Sequence, residues 1–388
     1  MAGGVIKKEA FGLKLRSLAG ALFPILAVVA ALLVGGVMLL ILGASPIAGF
    51  GALIDGAFGS LRALSDTAAK AVPLLLVGVG ITIAFRSNVI NIGGEGQIIL
   101  GALFGTAFAL LMPNLPTWLI LPGVLLAGFV GGAFWGAIPG ALKAYFNVNE
   151  ILSTIMLNIV AVQTMNFLLR GPMMDPAEIE AGSRIPQTAR LAQAADLPIL
   201  VKGTRLNAGI LISIVAAVVA YFFLWRMTEG FRIRAVGLNP HASRYAGIHV
   251  QRSTVLALTL SGALCGLAGA ILVFGSESHR FVTDGSSFGF TGSAGYNGIV
   301  VALFGGLNPL GTIPASFLFG ALLVGANKLQ RVVQVPAALI IALNGLVVVF
   351  VVSSAIWKRR LDQRLLVRAT NAQPDETGPA VAGAPPDE

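Results

Sequence analysis

Long apolar runs separated by short polar or charged links recur along the whole chain. Ten of them approach or exceed the length of a membrane span: 20–43, 71–86, 89–111, 118–142, 151–169, 208–225, 255–274, 290–306, 311–327 and 337–357. A helix needs about 20 apolar residues to cross the hydrocarbon core. The pattern therefore predicts an all-α integral membrane protein of about ten transmembrane helices. The run 71–86 is short. Only Leu307-Asn308-Pro309-Leu310 separates 290–306 from 311–327, a tight-turn signal that also suits a partly re-entrant pair.

Composition sharpens this class. Of 388 residues, 56% are hydrophobic and only 11% charged, where a soluble domain carries about 25%. The 48 glycines suit close helix packing in lipid. The basic residues before the first run (Lys7, Lys8, Lys14, Arg16) resemble a signal-peptide start, but the run from 20 to 43 exceeds a signal core of about 7–15 residues and reads as a retained span. The single cysteine, Cys265, lies in a Gly/Ala-rich apolar run and reads as a small packed residue.

The net charge of +9 is topological. With both termini inside, the segments 1–19, 86–88, 143–150, 226–254 and 358–388 hold 16 of the 26 basic residues. The remaining 10 fall outside, offset by eight acids. This predicts cytoplasmic N- and C-terminal tails (1–19 and 358–388) flanking a membrane-spanning body, 20–357. The external loop 170–207 is long, Pro-rich and mixed in charge; it suits a short interfacial helix, an external partner or a plain solvated loop. The tail after Leu366 has a disorder-prone composition. No basic patch is interleaved with aromatics, which argues against a nucleic-acid partner.

The run Asn88–Leu111 carries the most chemistry. It opens with Asn88, Asn91, Glu95 and Gln97 among glycines. A carboxylate inside an apolar span costs roughly 2.5–3.5 kcal/mol on insertion scales, and irregular backbone survives in a membrane only under protein cover or beside a water-filled cavity. Two readings of Glu95 stand: a solute or gating contact, or a structural group satisfied by Asn91, Gln97 or freed backbone N–H groups. Asn88 and Asn91 are candidate helix caps. Ala102-Leu103-Phe104-Gly105 recurs as Ala302-Leu303-Phe304-Gly305, each copy after a polar, Gly-containing segment. Opposite expected directions make this the sign of pseudo-symmetric inverted halves. Tyr296 and Asn297, between Gly295 and Gly298, suit a sugar or nucleobase face or an interfacial anchor.

Other chemistry is missing. The sequence has no G-x-x-x-x-G-K-[ST] phosphate loop. Its three histidines (His241, His249, His279) lack metal-ligand spacing. Glu95 is the one clear acid within a span, which points to energy supplied from elsewhere rather than to an ion relay.

The internal loop 226–254 holds five arginines against one acid, Glu229. Gly237-Leu238-Asn239-Pro240 is a turn signal. A short helix over His241–Ile248 follows, with Asn239 as cap and Pro240 in its first turn. It suits docking to a cytoplasmic protein or to anionic lipid head groups.

Four motifs carry a family resemblance: RAVGLNPHASRYAGI, NVINIGGEGQIILGALFG, NEILSTIMLNIVA and GYNGIVVALFGGLNPLGTIPASFLFGAL. Together they resemble ABC-importer permeases of the branched-chain amino acid, ribose and nucleoside group, nearest its simple-sugar/nucleoside branch with BMP-type external receptors. The likeness covers about residues 70–355. Gly94, Ser243 and Tyr296 depart from the usual residues, and Tyr296 touches selectivity. The resemblance implies a bacterial inner-membrane permease subunit of an ATP-driven importer. Its partners would be cytoplasmic ABC ATPase subunits using ATP and Mg, a second permease (copy or related chain), an external binding protein and membrane lipid. The chain itself would bind no cofactor or metal and would not be an enzyme. Arg234, Gly237, Asn239, Pro240, Ala242, Arg244, Ala246 and Gly247 would form the ATPase coupling segment, with Arg234 and Arg244 facing acids on the ATPase. Nucleosides lead as solute, then simple sugars, then branched-chain amino acids. The alternative is a stand-alone secondary transporter or channel for a small polar solute.

Overall fold

The computed structural model describes residues 29–336 except Arg184, with isolated positions on either side (26, 342, 345–346, 349–350, 353). The expected tails 1–19 and 358–388, the beginning of span 20–43 and nearly all of span 337–357 lie outside the described residues.

The helices in chain order are α1 (Val29–Ile41), α2 (Pro46–Phe58), α3 (Leu61–Arg86), α4 (Gly94–Leu111), α5 (Thr117–Phe146), α6 (Glu150–Leu169), α7 (Pro176–Glu180), α8 (Gly209–Arg226), α9 (Thr228–Leu238), α10 (Pro240–Tyr245), α11 (Val250–Phe274), α12 (Ser287–Thr291), α13 (Ala294–Phe304) and α14 (Thr312–Val333). Among the described residues seven are long and apolar enough to cross a membrane: α3, α4, α5, α6, α8, α11 and α14. The only β-pairing among them is two isolated bridges.

Local chemistry sets the ends. Ser60 accepts the Ala63 N–H at 3.0 Å and starts α3. Asn149 accepts the N–H groups of Ile151 and Leu152 and starts α6. Asn147 and Gln334, both in the left-handed region (φ 53° and 54°), stop α5 and α14.

Three expectations change. The span expected at 71–86 begins ten residues earlier, at Leu61. Arg62, Asp66 and Lys70 interrupt the apolar run, but their spacing of four puts them on one helix face, so the helix continues. Helix α2 was not anticipated: 13 residues with Gly49, Gly51, Asp55 and Gly56 are too short and too broken to read as a span. It lies against α14, where Asp55 pairs with Lys328. The span expected at 290–306 is two pieces, α12 and α13, because Gly292 and Ser293 both adopt positive φ (60° and 61°).

Helix α3 is the hub, buried all round from Ala71 to Ala84 against α8, α11, α13 and α14. Helices α4, α5 and α11 form a second block, in which α5 and α11 cross glycine against glycine. A Cβ on Gly132 of α5 would stand 2.2 Å from the Gly262 carbonyl oxygen of α11, and one on Gly266 would stand 2.3 Å from the Gly128 carbonyl oxygen. Spacing of four along both helices stacks these glycines on facing stripes, the small-residue mode of membrane helix association. Helix α6 buries only Thr154, Asn158, Ala161, Met165 and Leu169, one stripe against α4, and α8 buries a similar stripe. Their other faces expose Leu152, Met156, Phe167, Val215 and Phe222, as suits helices facing lipid or another chain.

At one end of the bundle the loop 170–207 is tied to 275–286. Asp175 caps α7 through the Ala177 N–H and pairs with Arg280 at 2.9 Å. The Thr188 N–H donates to the Phe281 carbonyl, the Leu191 N–H to that of His279, and His279 Nδ1 lies 2.5 Å from Asp196.

Replacing Gly132 by Leu should force α5 and α11 apart. Overpacking typically costs about 1–3 kcal/mol, and here the opposing atoms are main chain. The expected result is a large loss of monodisperse protein on size exclusion in detergent. Gly51→Ala, where no atom lies within 4 Å of the added Cβ, should behave as the parent. Parent-like yield and melting for Gly132→Leu would remove the close crossing as the organiser of this block.

Candidate functional site

The break before α4 and the break before α13 meet at one carboxylate. Glu95 is 1% exposed. Its Oε1 accepts the N–H of Gly295 at 2.9 Å and that of Tyr296 at 3.3 Å, and its Oε2 accepts the Thr291 hydroxyl. Gly295 and Tyr296 lie in the first turn of α13, whose N–H groups have no helical acceptor. Glu95 supplies it from another helix, and Thr291 ends α12, so one side chain joins both sides of the broken segment. The approach needs glycine, since a Cβ on Gly295 would stand 2.4 Å from the Glu95 nitrogen. Gly94 lies against the Gly295 Cα in turn, which gives a physical reason for a glycine there.

The other polar residues close the first turn of α4. Asn91 is fully buried; its Oδ1 accepts the Gly93 N–H at 2.9 Å, and its Nδ2 donates to Gln97 Oε1 (2.9 Å) and Ser261 Oγ (2.8 Å). Asn158 of α6 accepts the Gly96 N–H at 2.8 Å and donates to the Ile92 carbonyl at 3.0 Å. Glu95 is therefore satisfied by distant backbone and Thr291, and Asn91 and Gln97 satisfy each other. Asn88 is not a cap of α4. It is exposed, with φ 58°, in the turn after α3. Tyr296 is 44% exposed, and Asn297 is partly buried beside it. Sequence reasoning missed Asn158, Ser261 and Thr291. A signal existed for Asn158, an amide in the middle of an apolar span that also holds Gln163 and Asn166.

At the opposite end of the bundle from loop 170–207, the expected short helix is present as α10. Asn239 Oδ1 accepts the Ala242 N–H at 3.0 Å, Pro240 opens the helix, and Gly247 closes the turn with φ 77°. Ala242, Arg244, Ala246 and Gly247 are exposed, as are Leu238 (88%) and Tyr245 (95%), while Ser243 is buried. Arg234 differs from expectation. Its Nε donates to the Leu224 carbonyl at 2.9 Å, and its guanidinium carbon lies 5.4 Å from the centre of the Trp225 ring, so it is spent on its own chain. Arg86 lies over the same ring at 5.1 Å and donates to the Leu307 carbonyl at 2.8 Å. Gly237 abuts the Arg86 carbonyl, 2.0 Å from where its Cβ would be. The end of α3, the end of α9 and the turn between α13 and α14 thus converge within two residues of Asn88. Among the described residues no three His, Cys, Asp or Glu side chains form a metal-binding group.

Glu95→Ala would leave the Gly295 and Tyr296 N–H groups without their acceptor, at about 1–3 kcal/mol for a buried donor left unpaired, while the Thr291 hydroxyl would keep the Ser287 carbonyl. Most folded protein should be lost. Glu95→Gln keeps an acceptor for the amides and should retain the fold with a lower melting temperature. A Glu95→Ala protein as stable as the parent would show that the carboxylate is not what joins the broken helices.

The family model for the branched-chain amino acid transport system / permease component matches residues 63–352. A guanosine ABC transporter permease protein of Bacillus subtilis is 34% identical over 342 residues, 86% of this chain and 93% of the relative. A glucose ABC transporter permease protein of Haloferax volcanii is 34% identical over 92% of this chain and 93% of its own. A nucleoside ABC transporter permease protein of Lactococcus lactis subsp. cremoris is 33% identical over 90% of this chain and 96% of its own. These relatives are membrane subunits, and ATP hydrolysis belongs to their partner subunits. The family match takes in nearly all of α3 and every helix from α4 to α14, so the chain belongs to the branched-chain amino acid transport system / permease component family, as the membrane subunit of an ABC importer.

Proposed function

We propose that this permease carries a nucleoside or a simple sugar, delivered by an external binding protein, across a bacterial inner membrane. Both tails and α10 lie on the cytoplasmic side, and loop 170–207 lies outside. About ten spans in two inverted halves enclose the path together with a second permease, a copy or a related chain. The names of the relatives, guanosine, nucleoside and glucose permeases, support the solute class. The excess of basic residues in 226–254 supports the orientation.

The observation that carries the mechanism is the contact of Gly237 with the main chain of Arg86. Helix α10, with Asn239, Pro240, Ala242, Arg244, Ala246 and Gly247 shaping it, is the docking element for a cytoplasmic ATPase subunit. Leu238 and Tyr245 offer it an apolar contact, and Arg244 a cation. ATP-driven closure of the partner subunits displaces α10 and α9. That displacement reaches the end of α3 through Gly237 and Arg86, and the α13–α14 turn through the Arg86 bond to Leu307. The end of α3 leads into α4, and the α13–α14 turn closes the far end of α13, so the input reaches both helices held by Glu95. Glu95, Asn91 and Gln97 act as the clamp of this junction. Tyr296 and Asn297, partly open beside it, are the side chains of the junction that face the path.

Uptake of labelled guanosine, uridine, ribose and glucose by cells with and without this chain, with ATP depleted as control, tests the reading. Uptake of a nucleoside or sugar that needs both the chain and ATP is expected; uptake that persists without ATP and collapses with the ion gradient would replace the importer by a stand-alone transporter. Gly247→Trp puts a bulky residue at positive φ on the docking face. It should leave the amount of membrane protein unchanged and abolish ATP-dependent uptake, and normal uptake would remove α10 as the docking element.

A further inference from the structure

The ends of α6 and the turn 284–286 enclose a cleft of about 800 Å³ at the end of the bundle that carries loop 170–207. Gln163, Asn166, Phe167 and Arg170 line its α6 side, and Asp284, Gly285 and Ser286 the other. One bond ties the walls: Asn166 Nδ2 donates to the Gly285 carbonyl at 3.0 Å. The Oδ1 of the same amide is buried with no partner among the described residues, an acceptor at the floor of the cleft. Gly285, at φ 94°, leaves space in front of it; a Cβ there would stand 3.6 Å from Arg170 Nη2 and 3.8 Å from Asn166 Oδ1.

The chemistry of the walls selects among solutes. Bonds from the Ser286 N–H and hydroxyl hold the Asp284 carboxyl below the usual carboxylate range, so it is ionised and offsets the Arg170 guanidinium. Arg170 and Asp284 give the cleft one charge of each sign and no net charge to draw in a simple ion; a zwitterion would pair with both, and leucine in the test below distinguishes it. Two amides, a guanidinium and a carboxylate instead offer the donors and acceptors that pair with hydroxyls. Phe167, 70% exposed, gives an apolar face for a sugar ring or a base.

Both walls also lead to Glu95. Two turns along α6 from Asn166 is Asn158, which closes the first turn of α4. The turn 284–286 runs directly into α12, whose last residue, Thr291, donates to Glu95. A molecule bridging the cleft therefore touches both elements that hold the start of α4.

We propose that this cleft is the outer docking site of the transported solute, a neutral, hydroxyl-bearing molecule of nucleoside or sugar type held between Asn166 and Arg170 on one wall and Asp284 on the other. The assignment rests on the importer reading above and on its orientation.

The test uses the whole importer in intact cells, with Gln163→Cys in this chain. Gln163 is exposed, and the native Cys265 is buried, so a membrane-impermeant maleimide reads the introduced thiol. Labelling from outside is expected, slowed by at least one of guanosine, uridine, ribose or glucose and not by leucine. Adding Arg170→Ala should raise the concentration needed for protection roughly ten-fold or more, the loss of a hydrogen bond to a charged group. No labelling from outside, no protection by any of the four, or equal protection by leucine would overturn the site. ATP-dependent uptake measured in the same cells separates the two claims. Protection with ATP-independent uptake would leave the cleft standing and remove the importer reading. ATP-dependent uptake of a probe without protection would do the reverse.

Discussion

Backbone groups freed inside a membrane must find partners within the protein, because the hydrocarbon core offers none. That requirement organises this molecule. Two helices begin in the interior of the bundle, α4 after the irregular stretch 88–93 and α13 after Gly292 and Ser293, and side chains from other elements meet their first turns. The start of α13 is served by Glu95, and that of α4 by Asn91 and Asn158. A carboxylate suits the first task because it is all acceptor, and the groups around it, two amides and a hydroxyl, are all donors. Its burial cost is met by those three bonds without an opposing cation.

Around this junction the packing is of two kinds. In the block α4–α5–α11 the crossing of α5 and α11 is main chain to main chain over glycines, and Ile99, Leu103, Val124 and Phe274 pack beside it. Around α3 the contacts are of Leu, Val and Ile, and the ends of the helix are held by Ser60 at one side and by the Arg86 cluster at the other. The rigid block and the hub share the junction at Glu95. The turn between α13 and α14 is sharp as well, with Leu307 at positive φ.

Where the sequence was legible, the reason is periodicity and punctuation. The spans from 118 to 274 were placed to within a few residues because uninterrupted apolar runs end at Asn, Gly or Arg. Helix α10 was readable with its cap, since Asn239-Pro240 is a local signal. The early start of α3 was hidden because Arg62, Asp66 and Lys70 look like a loop until they are placed on one face. Helix α2 was hidden because 13 residues broken by three glycines are too short to read as a span, although Ser45 and Pro46 mark its start. Glu95 stood out as a buried carboxylate, but its partners did not. Thr291 lies 196 positions away and Gly295 lies 200 positions away, and no pattern along a single segment names a partner in another. Arg234 was expected to face outward because the resemblance places it in the coupling segment; Trp225 and the Leu224 carbonyl draw it inward.

The contact between Gly237 and Arg86 has a mechanical consequence. Side-chain contacts have play: a rotamer can change and absorb part of a push before the backbone beyond it moves. Here a glycine rests on a carbonyl group, and nothing between them can rotate out of the way. The joint has no backlash. Any advance of α9 toward α3 is passed on at nearly its full amplitude, so a small stroke at the surface suffices to work a device buried in the middle of the bundle.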